Sequence, residues 1–533
     1  MNAITGGFML KGMLTLFVFS LFLNLPYIHL REFQGEEGRR VNIAQTMIET
    51  DEWIVPYVEG KVYLKKPPCF NWLLAGAFRI SGTISETSAR MLSVLAAFLC
   101  ALSLSLFWRR IADIKNMWFI LPGMIFLTFT DVMDKAIRAE IDMTFTFFVT
   151  LSLVLWFYYF EFQKKELAAW AISLSFLSIG ILTKGIQAPA FFYCGVIPYL
   201  FYKRRIKTIF SFPHATGIFV SLIIFAVWFV PFTGKIGFSE VTHAWFREII
   251  ARKDPIHEAG FLRHFVEFPL QYIIAYLPWI PLLLLWSHKP LKKEPEIIKD
   301  LSVYCLFFLL VSVPVYWLMP GARLRYVLPL SGALAILISI PVNALISGKI
   351  ENSTPVHRYM QALGFFLILL VIASPFWGKK FELFGRTFSV TLLIVIFFVS
   401  LLLIRWRTDF KRKVVLLLLT TLLVKTLWAS FYFPYHADNL SHSRNAAGQI
   451  NMLVPRDVAL YDYRVDNDHL AYYLKRPVLL IEALDDVIIK NGSVVFMEDN
   501  GAKSLSLKGL SYMAKVKARG MTLLLYRVER HDR

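Results

Sequence analysis

The chain has 533 residues, of which 56% are hydrophobic and 16% aromatic, and its formal net charge is +19. This apolar share excludes a soluble globular protein, because too few polar residues remain to cover the surface. The basic residues fall mostly in short clusters between apolar runs, which is typical of the cytoplasmic loops of a membrane protein and argues against nucleic acid as a partner. The four cysteines are scattered and indicate neither a disulfide framework nor a metal site.

About thirteen apolar runs approach the length of about 20 residues that a membrane-spanning helix requires. They lie near residues 8–29, 87–108, 117–132, 142–160, 167–183, 187–202, 213–234, 264–287, 300–318, 325–346, 357–375, 386–405 and 413–432. With the N-terminus in the cytoplasm, Lys and Arg concentrate in every second loop, as the positive-inside rule requires. The sequence therefore predicts an α-helical polytopic membrane protein.

On this topology three longer segments face outward: the loops 30–86 and 235–263, and the tail after residue 435. The tail alternates short β-like runs with helical patterns and is polar enough to fold in water. Two domains are therefore expected. A transmembrane domain covers residues 1–435, and a small outward-facing α/β domain covers residues 436–533.

The first outward loop concentrates acids and bases beside aromatic residues. Glu36 and Glu37 precede Arg39, and Lys66 stands directly before a Pro-Pro pair. Two stretches have the apolar faces of interfacial helices, residues 39–49 and 70–80. A solvated loop between two spans is the simpler interpretation of such a segment, but charged groups grouped at a bilayer surface are typical of a site for a charged ligand.

Charged residues recur at the outer ends of several spans. Asp142 begins one apolar run, where a carboxylate is costly without a partner, and Lys184 ends another. Arg325 and Tyr326 precede a third, and Arg252 lies in the second outward loop. A lone lysine at a span end is more simply a snorkelling anchor. Several matched acids and bases on one side predict a shared cavity, in which cations suit a phosphate and carboxylates suit proton removal from a hydroxyl.

The motifs, in this order, resemble the superfamily of GT-C membrane glycosyltransferases that includes the protein O-mannosyltransferases and the aminoarabinose (lipid A) transferases. The resemblance covers roughly residues 8–345 and rests on Glu36-Glu37-Gly38-Arg39, Tyr63-Leu64-Lys65-Lys66-Pro67-Pro68, Arg138-x-x-x-Asp142, Thr183-Lys184-Gly185 and Arg325-Tyr326-Val327-Leu328-Pro329. It implies inverting transfer of a sugar from a polyprenyl (undecaprenyl) phosphate carrier at the periplasmic face of the bacterial inner membrane. The aminoarabinose branch implies lipid A as the acceptor. Another envelope glycan and a protein Ser/Thr are the alternative acceptors.

The resemblance also implies roles for individual residues. Glu36 matches the family's first acid, which is most often Asp, and is expected to be the general base, with Glu37 as the alternative. Asp142 is expected to order basic side chains or hold the sugar. The donor phosphate is expected to contact Arg39, Lys66, Lys184, Arg252, Arg325 and Tyr326.

The sequence indicates no cofactor, and it leaves a divalent metal open without indicating one. Lys65 and Ile249 stand where some relatives have an acid and a histidine that share a metal, and His257 alone is a poor ligand set. A monomer embedded in membrane lipid is expected. A transporter or flippase for lipid-linked sugars is the alternative of another class, but it predicts paired inverted halves, which the sequence lacks. An envelope assembly protein that acts through its tail is a third interpretation.

Overall fold

The computed structural model describes residues 2–250, 258–350, 354–405, 409–465, 467–484, 489–499, 509–518 and 521–529. The chain forms two compact units. Unit 1 comprises Met1–Pro26, Met91–Ile137 and Ile141–Phe431, and unit 2 comprises Tyr27–Arg90, Arg138–Glu140 and Tyr432–Arg533. Whereas the sequence-based division puts residues 27–90 with the membrane domain, their contacts group them with the tail.

The secondary structure of the described residues is mostly helical. In chain order the α-helices are α1 (Asn2–Asn24), α2 (Glu37–Thr50), α3 (Cys69–Ser81), α4 (Glu86–Ile111), α5 (Leu121–Leu127), α6 (Thr130–Ala136), α7 (Ile141–Phe157), α8 (Glu166–Lys184), α9 (Gln187–Tyr202), α10 (Phe212–Ile236), α11 (Phe238–Ile250), α12 (Glu258–Ala275), α13 (Glu296–Trp317), α14 (Ser331–Ile346), α15 (Thr354–Ile372), α16 (Ser374–Gly378), α17 (Thr387–Ile404), α18 (Phe410–Asn439), α19 (His442–Leu453) and α20 (Asp468–Leu474). The strands are β1 (Tyr57–Val58), β2 (Lys61–Val62), β3 (Leu460–Tyr463), β4 (Val478–Ile481), β5 (Val494–Glu498), β6 (Leu510–Ala518) and β7 (Met521–Val528).

The membrane-spanning helices confirm the predicted polytopic architecture. Within the described residues, 10 helices are long and apolar enough to span a bilayer, or up to 12 if each of two bent helix pairs is one span. The bent pairs correspond to the predicted runs near 117–132 and 264–287. The remaining run forms α9, which has 16 residues. A helix of that length rises about 24 Å, which is less than the thickness of the hydrocarbon core.

Unit 2 contains a five-stranded mixed sheet with strand order β4-β3-β5-β7-β6. β3 is parallel to β4 and to β5, and β7 is antiparallel to β5 and to β6. Tyr461, Val495 and Met497 belong to its buried core. The predicted α/β character of the tail is confirmed; the sequence did not predict β6 or α20.

The loop of residues 30–86 folds as two helices joined by a hairpin, so both predicted helices are confirmed. Val41, Ala44 and Met47 recur every three residues on α2 and are buried. Strands β1 and β2 pair through the turn residues Glu59 and Gly60, with φ of 49° and 79°. Two positive φ values are the mark of a type I′ hairpin turn, which fixes the path of the chain toward the Pro-Pro pair.

Candidate functional site

Glu37 begins α2, and its carboxylate is enclosed by hydrogen-bond donors within unit 2. The side chain is 0% exposed. Arg90 donates from Nε to Oε1 at 2.8 Å and from Nη2 to Oε2 at 3.1 Å. The backbone N–H groups of Ala139 and Gln34 donate to Oε1 and Oε2, both at 2.9 Å. With Arg31 at 3.8 Å as well, both oxygens are occupied.

The electrostatic surroundings keep Glu37 ionised. Burial by itself would raise the pKa of this carboxyl. The charge and hydrogen bonds of Arg90, the charge of Arg31 and the N–H of Ala139 outweigh that effect and lower the pKa to about 2. Glu37 is therefore a buried anion that binds its own protein neighbours, which suits a structural role better than proton transfer.

Glu36, the preceding residue, is the accessible member of the acid pair. Its side chain is 31% exposed, and its Oε2 accepts a hydrogen bond from Nη2 of Arg40 at 2.7 Å. Its backbone N–H donates to Oε1 of Glu140 at 3.3 Å. Arg40 itself is buried, and its guanidinium lies over the ring of Tyr63, 5.4 Å from the centroid. Arg40 thus connects the acid pair to the second motif of the loop and orients Glu36.

The tail of the chain contributes directly to the surroundings of the acid pair. Asp468 Oδ2 lies 2.8 Å from Nη2 of Arg39, and the Asp468 carbonyl accepts a hydrogen bond from Asn42 at 2.8 Å. A Cβ on Gly38 would lie 2.7 Å from Nδ1 of His469, closer than a side chain could pack. Gly38 therefore allows α2 to approach α20, which the sequence did not predict.

Lys66 also lies in unit 2, between β2 and α3. Its side chain is half-buried, whereas that of Lys65 is exposed. Pro67 and Pro68 directly precede α3, where their missing N–H groups cost no helical hydrogen bond. The Pro-Pro pair thus fixes the chain at the end of the segment that presents Lys66.

A second charged group lies in unit 1. Asp142 in the first turn of α7 and Lys184 at the end of α8 form a buried ion pair of 2.5 Å. An acid at a helix N-terminus and a base at a C-terminus each match the sign of the helix dipole. The rings of Phe145 and Tyr326 lie 5.1 Å and 5.5 Å from the Lys184 ammonium. This cation is therefore held by one carboxylate and two aromatic faces.

Further cations surround the same carboxylate. Arg325 and Lys135 both interact electrostatically with Asp142, and the Arg325 guanidinium lies 5.6 Å from the ring centroid of Tyr326. The ammonium of Lys135 is 3.8 Å from Asp134. Together with Lys184, three cations therefore lie around Asp142, and clustered Lys and Arg side chains are the groups that contact phosphate in proteins.

The predicted site residues thus form two groups, one in each unit. Glu36, Glu37, Arg39 and Lys66 belong to unit 2, and Asp142, Lys184, Arg325 and Tyr326 belong to unit 1. Arg252 lies outside the described residues. Among the residues that are described, no group of three or more His, Cys, Asp or Glu could hold a metal ion.

Four residues that sequence reasoning did not assign to the site take part in it: Arg40, Arg90, Lys135 and Asp468. Arg90 belongs to Ser88-Ala89-Arg90, a further stretch that resembles the family. Arg40 directly follows the motif that ends at Arg39, and Lys135 lies shortly before Arg138, so a signal existed for all three. For Asp468, the sequence offers no local signal, because its partner Arg39 is more than 400 residues away in the chain.

Comparisons with known proteins agree with this fold. A family model described as dolichyl-phosphate-mannose-protein mannosyltransferase matches residues 65–230. The chain is 25% identical over 506 residues to the undecaprenyl phosphate-alpha-4-amino-4-deoxy-L-arabinose arabinosyl transferase of Pseudomonas aeruginosa (strain UCBPP-PA14), covering 87% of both chains. It is also 25% identical over 386 residues to an uncharacterised protein of Aquifex aeolicus (strain VF5), covering 68% of this chain and 72% of that one. The crystal structure of ArnT from Cupriavidus metallidurans bound to undecaprenyl phosphate matches with a TM-score of 0.72 at 17% identity over 98% of both chains, so the two proteins share a fold.

Proposed function

Because this chain is a GT-C membrane glycosyltransferase of the superfamily that includes the protein O-mannosyltransferases and the aminoarabinose transferases, we propose that it uses an undecaprenyl-phosphate-linked sugar as donor. The acceptor is lipid A, and the transfer inverts the anomeric carbon. The site and the α/β part of unit 2 face the periplasm from the inner membrane. The named relatives, which match over 87% of the chain, support the donor class and favour the aminoarabinose branch.

In the proposed reaction, Glu36 accepts the proton of the acceptor hydroxyl as its oxygen attacks the anomeric carbon. The bond between that carbon and the phosphate oxygen breaks, and the electron pair leaves with undecaprenyl phosphate. A carboxylate is ionised at pH 7 and can therefore take the proton. The single observation that carries this assignment is the contrast between Glu36, which is 31% exposed and anchored by Arg40, and the enclosed Glu37.

Negative charge develops on the departing phosphate, and fixed cations stabilise it. In unit 1, Lys184 and Arg325 supply charge and Tyr326 supplies a hydroxyl. In unit 2, Arg39 and Lys66 supply further positive charge. Arg252 is the last cation of the proposed set. The clustering of Lys184, Arg325 and Lys135 around Asp142 supports this role, because grouped basic side chains are the usual contacts of a phosphate in a protein.

The proposal is tested by mass spectrometry of lipid A, envelope glycans and glycoproteins from cells that contain the wild-type chain, the Glu36→Gln variant or neither. We expect lipid A to gain a sugar mass only with the wild-type chain. A sugar that appears only on proteins would overturn the lipid A assignment. A change only in the distribution of the lipid-linked sugar across the membrane would instead indicate a transporter.

Protein O-mannosylation is the second candidate, because the matching family model is described by that activity. The model covers residues 65–230, whereas the arabinosyl transferase of Pseudomonas aeruginosa (strain UCBPP-PA14) matches over 87% of the chain. The lipid A acceptor is therefore the first choice, and the same mass spectrometry separates the two.

Asp468 is expected to act as a positioning residue through Arg39. Asp468→Asn should lower sugar transfer about tenfold, because a hydrogen bond to a charged group contributes about 1.5–3 kcal/mol and the amide keeps part of it. Arg39→Gln should lower it at least as much. The two effects should not add, so the double variant should be no slower than Arg39→Gln alone.

This double-mutant cycle is measured as kcat and KM for the donor. The melting temperature of each variant is determined alongside, so that a loss of stability can be told from a loss of activity. A purely structural role for Asp468 predicts that the two losses multiply and that stability falls with them. Asp457→Asn, at an exposed position of the same tail, is the matched control and should leave kcat unchanged.

A further inference from the structure

The end of α17 and the start of α18 present three basic side chains to one cavity. Arg405 directly follows α17, and Lys411 and Arg412 lie in the first turn of α18. They line a cavity of about 440 Å³ whose other walls are aliphatic, formed by Leu402, Val415 and Leu416. The positive-inside assignment predicts that these three residues lie in the cytoplasm. They are thus at the end of the spans opposite to the predicted outward loops.

These bases differ from others on the loops that are predicted to be cytoplasmic. Lys203 pairs with Asp300 at 2.9 Å, and Lys349 pairs with Glu294 at 2.7 Å. Within the described part of the chain, Arg405, Lys411 and Arg412 form no ion pair with an acid. The neighbouring Lys413 is 0% exposed, and its ammonium has no hydrogen-bond partner among those same residues. The exposed charges of Arg405, Lys411 and Arg412 are therefore not neutralised by an ion pair among the described residues and can bind a ligand.

An apolar groove begins beside this basic cavity. It has a volume of about 340 Å³ and runs between α1, the segment around Trp118 and α18. Val415 lines both the groove and the basic cavity, and Leu419 and Leu422 continue along the groove. Positions 411, 415, 419 and 422 share one face of a helix, so Lys411 lies one turn before the first groove residue. Val415 and Leu419 are 52% and 38% exposed.

We propose that this face of α18 binds one anionic glycerophospholipid. Its phosphate contacts Arg405, Lys411 and Arg412, and one acyl chain occupies the groove. Basic pockets between spanning helices at the cytoplasmic side suit lipid phosphates, and an aliphatic groove in the same surface suits a hydrocarbon chain. A free phosphate would leave the groove without an occupant. This lipid site does not depend on the proposed transfer reaction, so a measurement of lipid binding is enough to test it.

The test uses the purified full chain, stripped of lipid in detergent and titrated with dioleoylphosphatidylglycerol or dioleoylphosphatidylcholine in native mass spectrometry. The wild-type chain should bind one phosphatidylglycerol more tightly than phosphatidylcholine. Lys411→Gln/Arg412→Gln should weaken phosphatidylglycerol binding about 30-fold through the loss of two basic contacts, and should weaken phosphatidylcholine binding less, because its choline offsets the phosphate charge. Leu419→Trp, which fills the groove at a partly exposed position, should weaken both lipids.

The matched control is Lys292→Gln/Lys293→Gln, because these two consecutive lysines are exposed and line neither cavity. It should bind phosphatidylglycerol like the wild-type chain. The proposal is overturned if the 411/412 variant keeps wild-type affinity, if the control loses as much affinity, or if Leu419→Trp has no effect. Should the double variant fail to fold, Arg405→Gln alone replaces it and should weaken phosphatidylglycerol binding about fivefold.

Discussion

Replacing Glu36 by Gln is expected to abolish sugar transfer while the protein stays folded and still binds the donor. The amide cannot accept the proton of the acceptor hydroxyl, and loss of a general base lowers the rate by about 10²–10⁴-fold. Donor binding should persist, because the proposed phosphate contacts come from cations and not from this acid. The measurement is the rate of sugar transfer from the undecaprenyl-phosphate donor, with donor affinity determined separately.

Two further variants, one at Glu36 and one on α2, serve as controls for this expectation. Glu36→Asp should keep part of the activity, because Asp is the commoner acid at this position of the family and still accepts a proton. Glu49→Gln removes an exposed carboxylate from the last turn of α2 and should be fully active. A normally active Glu36→Gln variant would remove this residue from the mechanism, and a loss of donor binding would assign it to the phosphate site instead.

Removing Arg90 is expected to destabilise unit 2 severely. Its guanidinium donates two hydrogen bonds to Glu37 and three to the carbonyls of Ile28, Arg31 and Glu32, at 2.6–3.1 Å. Arg90→Leu breaks all of them and leaves Glu37 as a buried charge without its main partner. Breaking a buried ion pair in this way costs about 3–5 kcal/mol. The detergent-solubilised full chain should melt at a lower temperature, and unit 2 should be cleaved faster by protease.

Low pH should remove the contribution of Glu37 to the free energy of unfolding, and it should do so over a defined pH range. The pKa of this carboxyl is lowered in the folded state from 4.5 to about 2, so the unfolded chain binds more protons in this interval. The contribution is fully present above about pH 4.5 and is lost as the pH falls toward 2. Glu37→Gln should therefore be less stable than the wild-type chain at pH 7, and the difference in melting temperature should shrink below pH 4.5.

Glu482→Gln is the matched control for the Arg90 and Glu37 variants. Glu482 is 65% exposed and pairs with Lys61 at 2.5 Å in the same unit. An exposed ion pair contributes about 0–1 kcal/mol, so this variant should melt close to the wild-type temperature. If Arg90→Leu were equally harmless, the enclosed carboxylate would not be a structural anchor, and Glu37 would again compete with Glu36 as the base.

Local patterns in the sequence predicted most of the fold. Each predicted apolar run forms a helix or a bent helix pair, because lipid requires every backbone polar group to be satisfied within the segment. Strands β3, β4, β5 and β7 follow from short apolar runs in the tail. The nine-residue strand β6 was missed, because its exposed residues, such as Tyr512 and Met513, are apolar and its lysines interrupt the alternating pattern.

The sequence alone determined the membrane class, the resemblance to the GT-C superfamily and the list of charged candidates, because composition, run length and motif order are local properties. Only the tertiary structure decided how those charges are used. It surrounds Glu37 with Arg90 and backbone donors, leaves Glu36 accessible beside Arg40, and pairs Asp142 with Lys184. The physical reason is that burial and partner choice set the protonation and reach of a side chain, and both depend on residues far away in the chain.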